Sequence, residues 1–176
     1  MEKEKYRTAS SMVLENNEYF ALVQEEMRNG NKVVFTAKGH SMTPFLRHER
    51  DSVELVLPNE ANLKEHAIVL FTLHGRYIMH RILNIDYVNA GAVNDKDVLT
   101  IQGDGIISGQ EIVTRDAVIG VVTKLLRKRR DGSYHAIDCN GRFFKAATAI
   151  WLFLTPVRRY ILAIRRKILK YIFHYE

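Results

Sequence analysis

In Lys38-Gly39-His40-Ser41-Met42-Thr43-Pro44-Phe45-Leu46 a strand ends and breaks into a tight loop: β-prone Val33-Val34-Phe35 runs in, Gly39 interrupts the pattern and Pro44 fixes the exit. Ser41 therefore sits on a rigid corner. A hydroxyl there, with a glycine permitting close backbone approach and a proline limiting motion, suits a nucleophile that an extended substrate must reach. Taken alone, the string also fits an ordinary turn, since serine, glycine and proline are common in turns of every kind.

The residues downstream decide between the two. Ser52–Leu57 alternates as Val53, Leu55, Leu57, Pro58-Asn59 turns the chain, and Ala67–Leu73 is a further strand. His74-Gly75 makes a tight turn into Arg76–Ile85, the return strand of a hairpin. Period-two alternation puts Tyr77, Met79, Arg81 and Leu83 on one face, and Ile78, His80, Ile82 and Asn84 on the other. His80 thus stands between two isoleucines, either as a core imidazole bonded to a backbone carbonyl or as a proton acceptor. The polar run Asn84–Lys96 leads to a strand at Asp97–Gln102, which ends in Gly103-Asp104-Gly105. Two glycines there admit an unusual backbone conformation that could present the carboxylate, although Asp-Gly is also a common turn pair. Ile106–Thr114 reads as a second polar loop. Ala117–Leu126 and Tyr134–Cys139, on either side of a charged turn, complete the β part, and Ser11–Arg28 before it is an amphipathic helix stopped by Gly30.

Ser41, His80 and Asp104 are weak signals singly, and their order is the stronger one. Gly39-His40-Ser41-Met42-Thr43-Pro44, then His80-Arg81-Ile82, then Gly103-Asp104-Gly105, then Val118-Ile119-Gly120-Val121-Val122 resembles the boxes of the type I signal peptidases and their relatives, the self-cleaving SOS repressors. Within that group the chain is similar to the histidine form of archaeal and endoplasmic-reticulum signal peptidases, whereas bacterial enzymes carry lysine at that box. The resemblance spans about Val33 to Val122. It implies a mostly β, signal-peptidase-like coiled sheet and a serine peptidase acting on a leader peptide or protein segment, with small side chains before the cut.

Position by position, the resemblance implies Ser41 as nucleophile, His80 as general base and Asp104 as the acid that fixes the imidazole tautomer and stabilises the imidazolium. The Ser41 N–H is a candidate oxyanion donor, and Gly39, Met42 and Pro44 fall on the substrate side. No cofactor or metal is implied. Arg81 cannot replace the base, since a guanidinium stays protonated. Lys38, Lys64 and Lys96 remain as rival bases, but none lies in a matching box. The alternative is a catalytically inactive peptide-binding module of the same fold, recruited to membrane by its tail.

The 176 residues, 47% of them apolar, allow a real core. The single cysteine, Cys139, excludes an internal disulfide framework and a Cys-rich zinc site. Met1–Asn31 is interrupted by Glu, Lys, Arg and Asn, so the reading expects no export signal and a cytoplasmic protein, peripheral on the membrane. Charge is uneven. From Lys124 onward 13 Lys and Arg face three acids, whereas the first 123 residues hold 13 basic and 17 acidic side chains. The overall +6 therefore belongs to the tail and points to an anionic partner for it.

That tail begins with the apolar Phe143–Leu154, is interrupted at Pro156, and continues as a basic amphipathic helix over Val157–Tyr171. Neither part reaches the roughly 18–20 apolar residues of a membrane span. Arg158, Arg159, Arg165, Arg166, Lys167 and Lys170 are the expected membrane contacts, set against a helix that merely packs on its own domain. Nucleic acid is the least favoured partner, because the amino-terminal helix lacks a second helix and turn. The expected division is a helical segment over 1–31, a β catalytic domain over 32–140 and a helical tail over 141–176.

Overall fold

The hairpin expected at His74-Gly75 forms, and both residues take positive φ, 50° and 73°, as a two-residue loop between twisted strands requires. It joins β3 (Ile68–Leu73) to β4 (Arg76–Asp86). The structure is a computed structural model and describes residues 16–86 and 97–173, side chains excepted at 16, 17, 165, 166 and 169–173. Most of the Asn84–Lys96 connection, Lys96 and the first turn of the expected amino-terminal helix lie outside the described residues.

Among the described residues β1 (Val33–Thr36), β2 (Asp51–Val56), β3, β4, β5 (Val98–Gln102), β6 (Glu111–Thr114), β7 (Val118–Lys128) and β8 (Tyr134–Asp138) form one antiparallel sheet. Its order is β1-β2-β7-β3-β4-β5-β6, with β8 pairing with β7. Helix α1 (Asn16–Arg28) precedes it, and α2 (Arg142–Phe153) and α3 (Thr155–Phe173) follow.

The alternation read along β4 separates two cores. Tyr77 and Met79 pack with Leu55, Leu70, Ile119 and Leu125, and with Val23 and Met27 of α1. Ile78 and Ile82 belong to the opposite cluster, with Val69, Phe71, Leu99 and Ile101. A Cβ on Gly120 in β7 would stand 3.4 Å from the Met27 side chain, so α1 packs closely on the strand there. Phe144 of α2 completes the first cluster, so the tail packs on the sheet at its start.

One expectation is corrected. The Ile106–Thr114 segment is not loop throughout: its second half is β6, paired to β5 in the register Ile101↔Glu111 to Val98↔Thr114. In β2, Glu54 is buried among its apolar neighbours, taking Lys32 Nζ at 3.2 Å and Thr123 Oγ1 at 2.7 Å.

Two of the sheet's unpaired edges matter for the site. β5 pairs with β4 only from Arg81 onward, so Arg76–His80 has no partner on that side among the described residues. The outer edge of β1 is likewise unpaired. Unpaired edges expose backbone donors and acceptors that another strand can satisfy.

Candidate functional site

A cleft of about 890 Å³ runs between these two edges. Phe35–Ala37 from β1 and its exit, and Arg76–Met79 from β4, form its sides, Leu70 and Leu46 its apolar walls, and Gly39, Ser41 and Met42 one end. Its size and its mostly apolar walls suit a short extended peptide. Tyr19 and Phe20 of α1 lie across it: the Phe20 ring stacks on Tyr77 at 4.0 Å and meets Phe35 edge-on at 6.1 Å.

The expected loop residues divide here. Gly39 has φ of 103°, a left-handed conformation that favours glycine, and its N–H donates to His48 Nδ1 at 2.8 Å. Met42 is buried and lines the cleft, but Pro44 is not among its walls. Among the rival lysines, Lys38 stands exposed at the cleft and Lys64 lines a separate cavity under α2.

Ser41 and His80 meet through the Gly103-Asp104-Gly105 turn. A Cβ placed on Gly103 would lie 2.6 Å from the Ser41 carbonyl oxygen and 2.9 Å from His80 Nε2, so only a glycine lets turn, loop and imidazole come so close. Gly105 donates its N–H to the Ser41 carbonyl at 2.6 Å, and a Cβ there would meet the His40 carbonyl oxygen at 2.7 Å. Neither glycine takes positive φ. Residues 104–105 form a turn, and close approach, not an unusual backbone conformation, is what requires both glycines. The Ser41 N–H and hydroxyl have no hydrogen-bond partner among the described residues.

His80 is buried, and its Nδ1 lies 3.1 Å from Glu111 Oε2. A carboxylate only accepts, so Nδ1 carries a proton, and in the neutral ring Nε2, on the Ser41 side, holds the lone pair. That is the tautomer a base needs.

The acid behind the imidazole is therefore Glu111 and not Asp104, which corrects the expected role. Asp104 is buried in a two-pronged pair with Arg81, Nε to Oδ1 at 2.8 Å and Nη2 to Oδ2 at 2.7 Å. Arg81 is itself fully buried, donates Nη1 to the His66 carbonyl at 2.8 Å, and lies between the rings of Phe45 and Phe144 at 4.9 and 5.6 Å. Every charged atom of the pair is satisfied, the condition under which a buried ion pair holds a geometry. Arg81 and Asp104 thus anchor the turn on which the Ser41 loop and His80 rest.

The helical tail grips the same turn from outside. Trp151 Nε1 donates to the Asp104 carbonyl at 3.1 Å, and Arg158 Nη2 donates to the Ile106 carbonyl at 2.6 Å, its guanidinium 5.8 Å from the Trp151 ring. Burial pulls the Arg158 guanidinium below its ordinary value, with Asp104 opposing the shift. Arg158, expected among the membrane contacts, is turned inward instead. Arg159 and Lys167 are exposed as expected, and the side chains of Arg165, Arg166 and Lys170 lie outside the described set.

Sequence reasoning missed Glu111, Trp151 and Arg158. A signal for Glu111 was present: Ile112-Val113-Thr114 is a β-branched run, which favours a strand; that Val113 is buried and Ile112 exposed shows only in the fold. Comparison with protein-family models, with curated proteins and with solved structures finds no match for this chain.

Proposed function

We propose that the chain is a serine endopeptidase of the signal-peptidase-like superfamily, with Ser41 as nucleophile, His80 as general base and Glu111 as the acid behind the base. A peptide lies in the cleft as an added strand between β1 and Arg76–Met79. His80 Nε2 takes the Ser41 hydroxyl proton as the oxygen attacks the peptide carbonyl, and the Glu111 carboxylate steadies the imidazolium. The oxyanion accepts a hydrogen bond from the Ser41 N–H. Collapse breaks the C–N bond and passes the proton from Nε2 to the leaving amine; water then repeats the sequence on the ester.

The observation that carries this reading is the convergence at Gly103. One backbone position touches both the Ser41 loop and His80 Nε2, while Nδ1 of the same ring meets a carboxylate. Incubation with a diverse peptide library, read by mass spectrometry, together with labelling by a fluorophosphonate, tests it. Cleavage and labelling are expected from the native chain and from neither Ser41→Ala nor His80→Ala; activity indifferent to both changes refutes it.

The second reading, a non-catalytic peptide-binding module, draws on Phe20 lying across the cleft and on the absence of a hydrogen bond between Ser41 Oγ and His80 among the described residues. Library peptides that bind without being cut, equally in native and Ser41→Ala protein, would favour it.

A further inference from the structure

The face that α2 turns away from the sheet carries no charge where a solvated helix would. Its inward stripe is Phe144, Thr148 and Trp151, spaced four and three apart and buried. The opposite stripe is Phe143, Ala146, Ala147, Ile150 and Phe153, all exposed, with Phe143 at 95% and Phe153 at 83% of full exposure. From Ala146 to Val157 there is no Asp, Glu, Lys or Arg. After a bend of 95° the pattern continues on α3, where Val157, Ile161, Ile164 and Ile168 are exposed at spacings of four, three and four. Exposed cations border it: Arg142 and Lys145 on α2 and Lys167 on α3. A contiguous apolar patch rimmed by polar residues marks an interaction surface.

We propose that this α2–α3 face docks the protein on the surface of an anionic lipid bilayer, with Phe143, Ile150 and Phe153 entering the headgroup–acyl boundary and the flanking cations among the headgroups. Charge selects the occupant: with 13 basic and three acidic residues from Lys124 onward, two copies of this face repel each other, whereas anionic lipid complements both the apolar stripe and its rim. Anchorage selects the depth. No single described helix is long and apolar enough to cross a membrane; α2 and the first part of α3 reach that length and apolarity only as a pair bent by 95°, and Trp151 and Arg158 tie both helices to carbonyls of the 104–106 turn. The helices therefore lie on the bilayer with the sheet above them, and do not leave it to cross. The docking is independent of whether Ser41 is a nucleophile.

Flotation of the full chain with vesicles of phosphatidylcholine alone, or with about a third phosphatidylglycerol, at low and high salt, tests this. Binding is expected to the anionic vesicles, at least tenfold weaker at high salt. Phe143→Glu with Phe153→Glu is expected to weaken it at least tenfold with an unchanged melting temperature, because both side chains are exposed. Should that pair of changes unfold the chain, Arg142→Glu with Lys167→Glu takes its place, with the same weakening expected. Three results overturn the proposal: no binding to either vesicle, folded variants that bind as the native chain does, or retention by duplex DNA or self-association in place of vesicles.

Discussion

Glu111→Gln and Asp104→Asn are expected to fail in different ways, because two carboxylates near one site do different work. At 3.1 Å from His80 Nδ1, the Glu111 charge would stabilise an imidazolium by about 5 kcal/mol at an effective dielectric constant near 20. Glu111 is 23% exposed, and the amide of glutamine still accepts the Nδ1 proton, so about 2–3 kcal/mol is lost at the transition state, roughly a hundredfold in rate. Folding is left nearly unchanged. Asp104→Asn instead strands the fully buried Arg81 without its counter-charge, a cost of about 3–5 kcal/mol and a melting temperature lower by on the order of 10 °C. Fluorophosphonate acylation of Ser41 reads the first effect, or kcat on a cleaved library peptide where one is found, and thermal unfolding reads the second. If Asp104→Asn slowed acylation with its melting temperature intact while Glu111→Gln reacted normally, the assignment of the two acids would be wrong.

Four further outcomes follow from the same geometry. Gly103→Ala places a Cβ 2.6 Å from the Ser41 carbonyl oxygen and 2.9 Å from Nε2, so acylation should be lost together with about 1–3 kcal/mol of stability; a fully active Gly103→Ala protein would contradict the seam described. Phe20→Ala clears the ring stacked at 4.0 Å on Tyr77 and should lower KM for library peptides several-fold, a change that thermal stability alone would not produce. Lys38→Ala, although at the cleft, should keep acylation within about twofold, and a large loss would reinstate lysine as base. Burial pushes the Cys139 thiol up to about 12, so thiolate is scarce at pH 8 and disulfide exchange with an aromatic reagent should run at least about a hundredfold slower than in unfolded chain; equal rates would show that the thiol is not desolvated.

Most of the sheet was legible because its strands alternate or are bounded by turn residues. Val33–Phe35, Ala67–Leu73 and the His74-Gly75 hairpin needed only local rules, and period two gave the faces of β4 correctly as far as Ile82, where a bulge breaks the alternation and brings Ile85 to the face of Ile82. The Glu111 strand was hidden because it has four residues and follows Ser108-Gly109-Gln110, so local polarity outweighed its pairing with β5. The partner of Asp104 was illegible for a different reason. Arg81 adjoins His80 in sequence but points to the opposite face, and nothing local says which face the Gly103–Gly105 turn reaches. Trp151 and Arg158 touch that turn across about fifty positions of chain; a helical period says which residues share a face, not what that face buries against.

The grip of Trp151 and Arg158 on residues 104–106 has a consequence in time. A ribosome delivers β4, β5 and the Gly103–Gly105 turn well before Phe144, Trp151 and Arg158 exist, so the Arg81–Asp104 pair waits without its roof while more of the chain is made. The turn at which Ser41 and His80 meet gains its hydrogen bonds from Trp151 and Arg158 only once the helical segment has folded back over it. A nascent chain that ends before α2 carries every residue of the proposed chemistry and lacks the clamp that holds them in register.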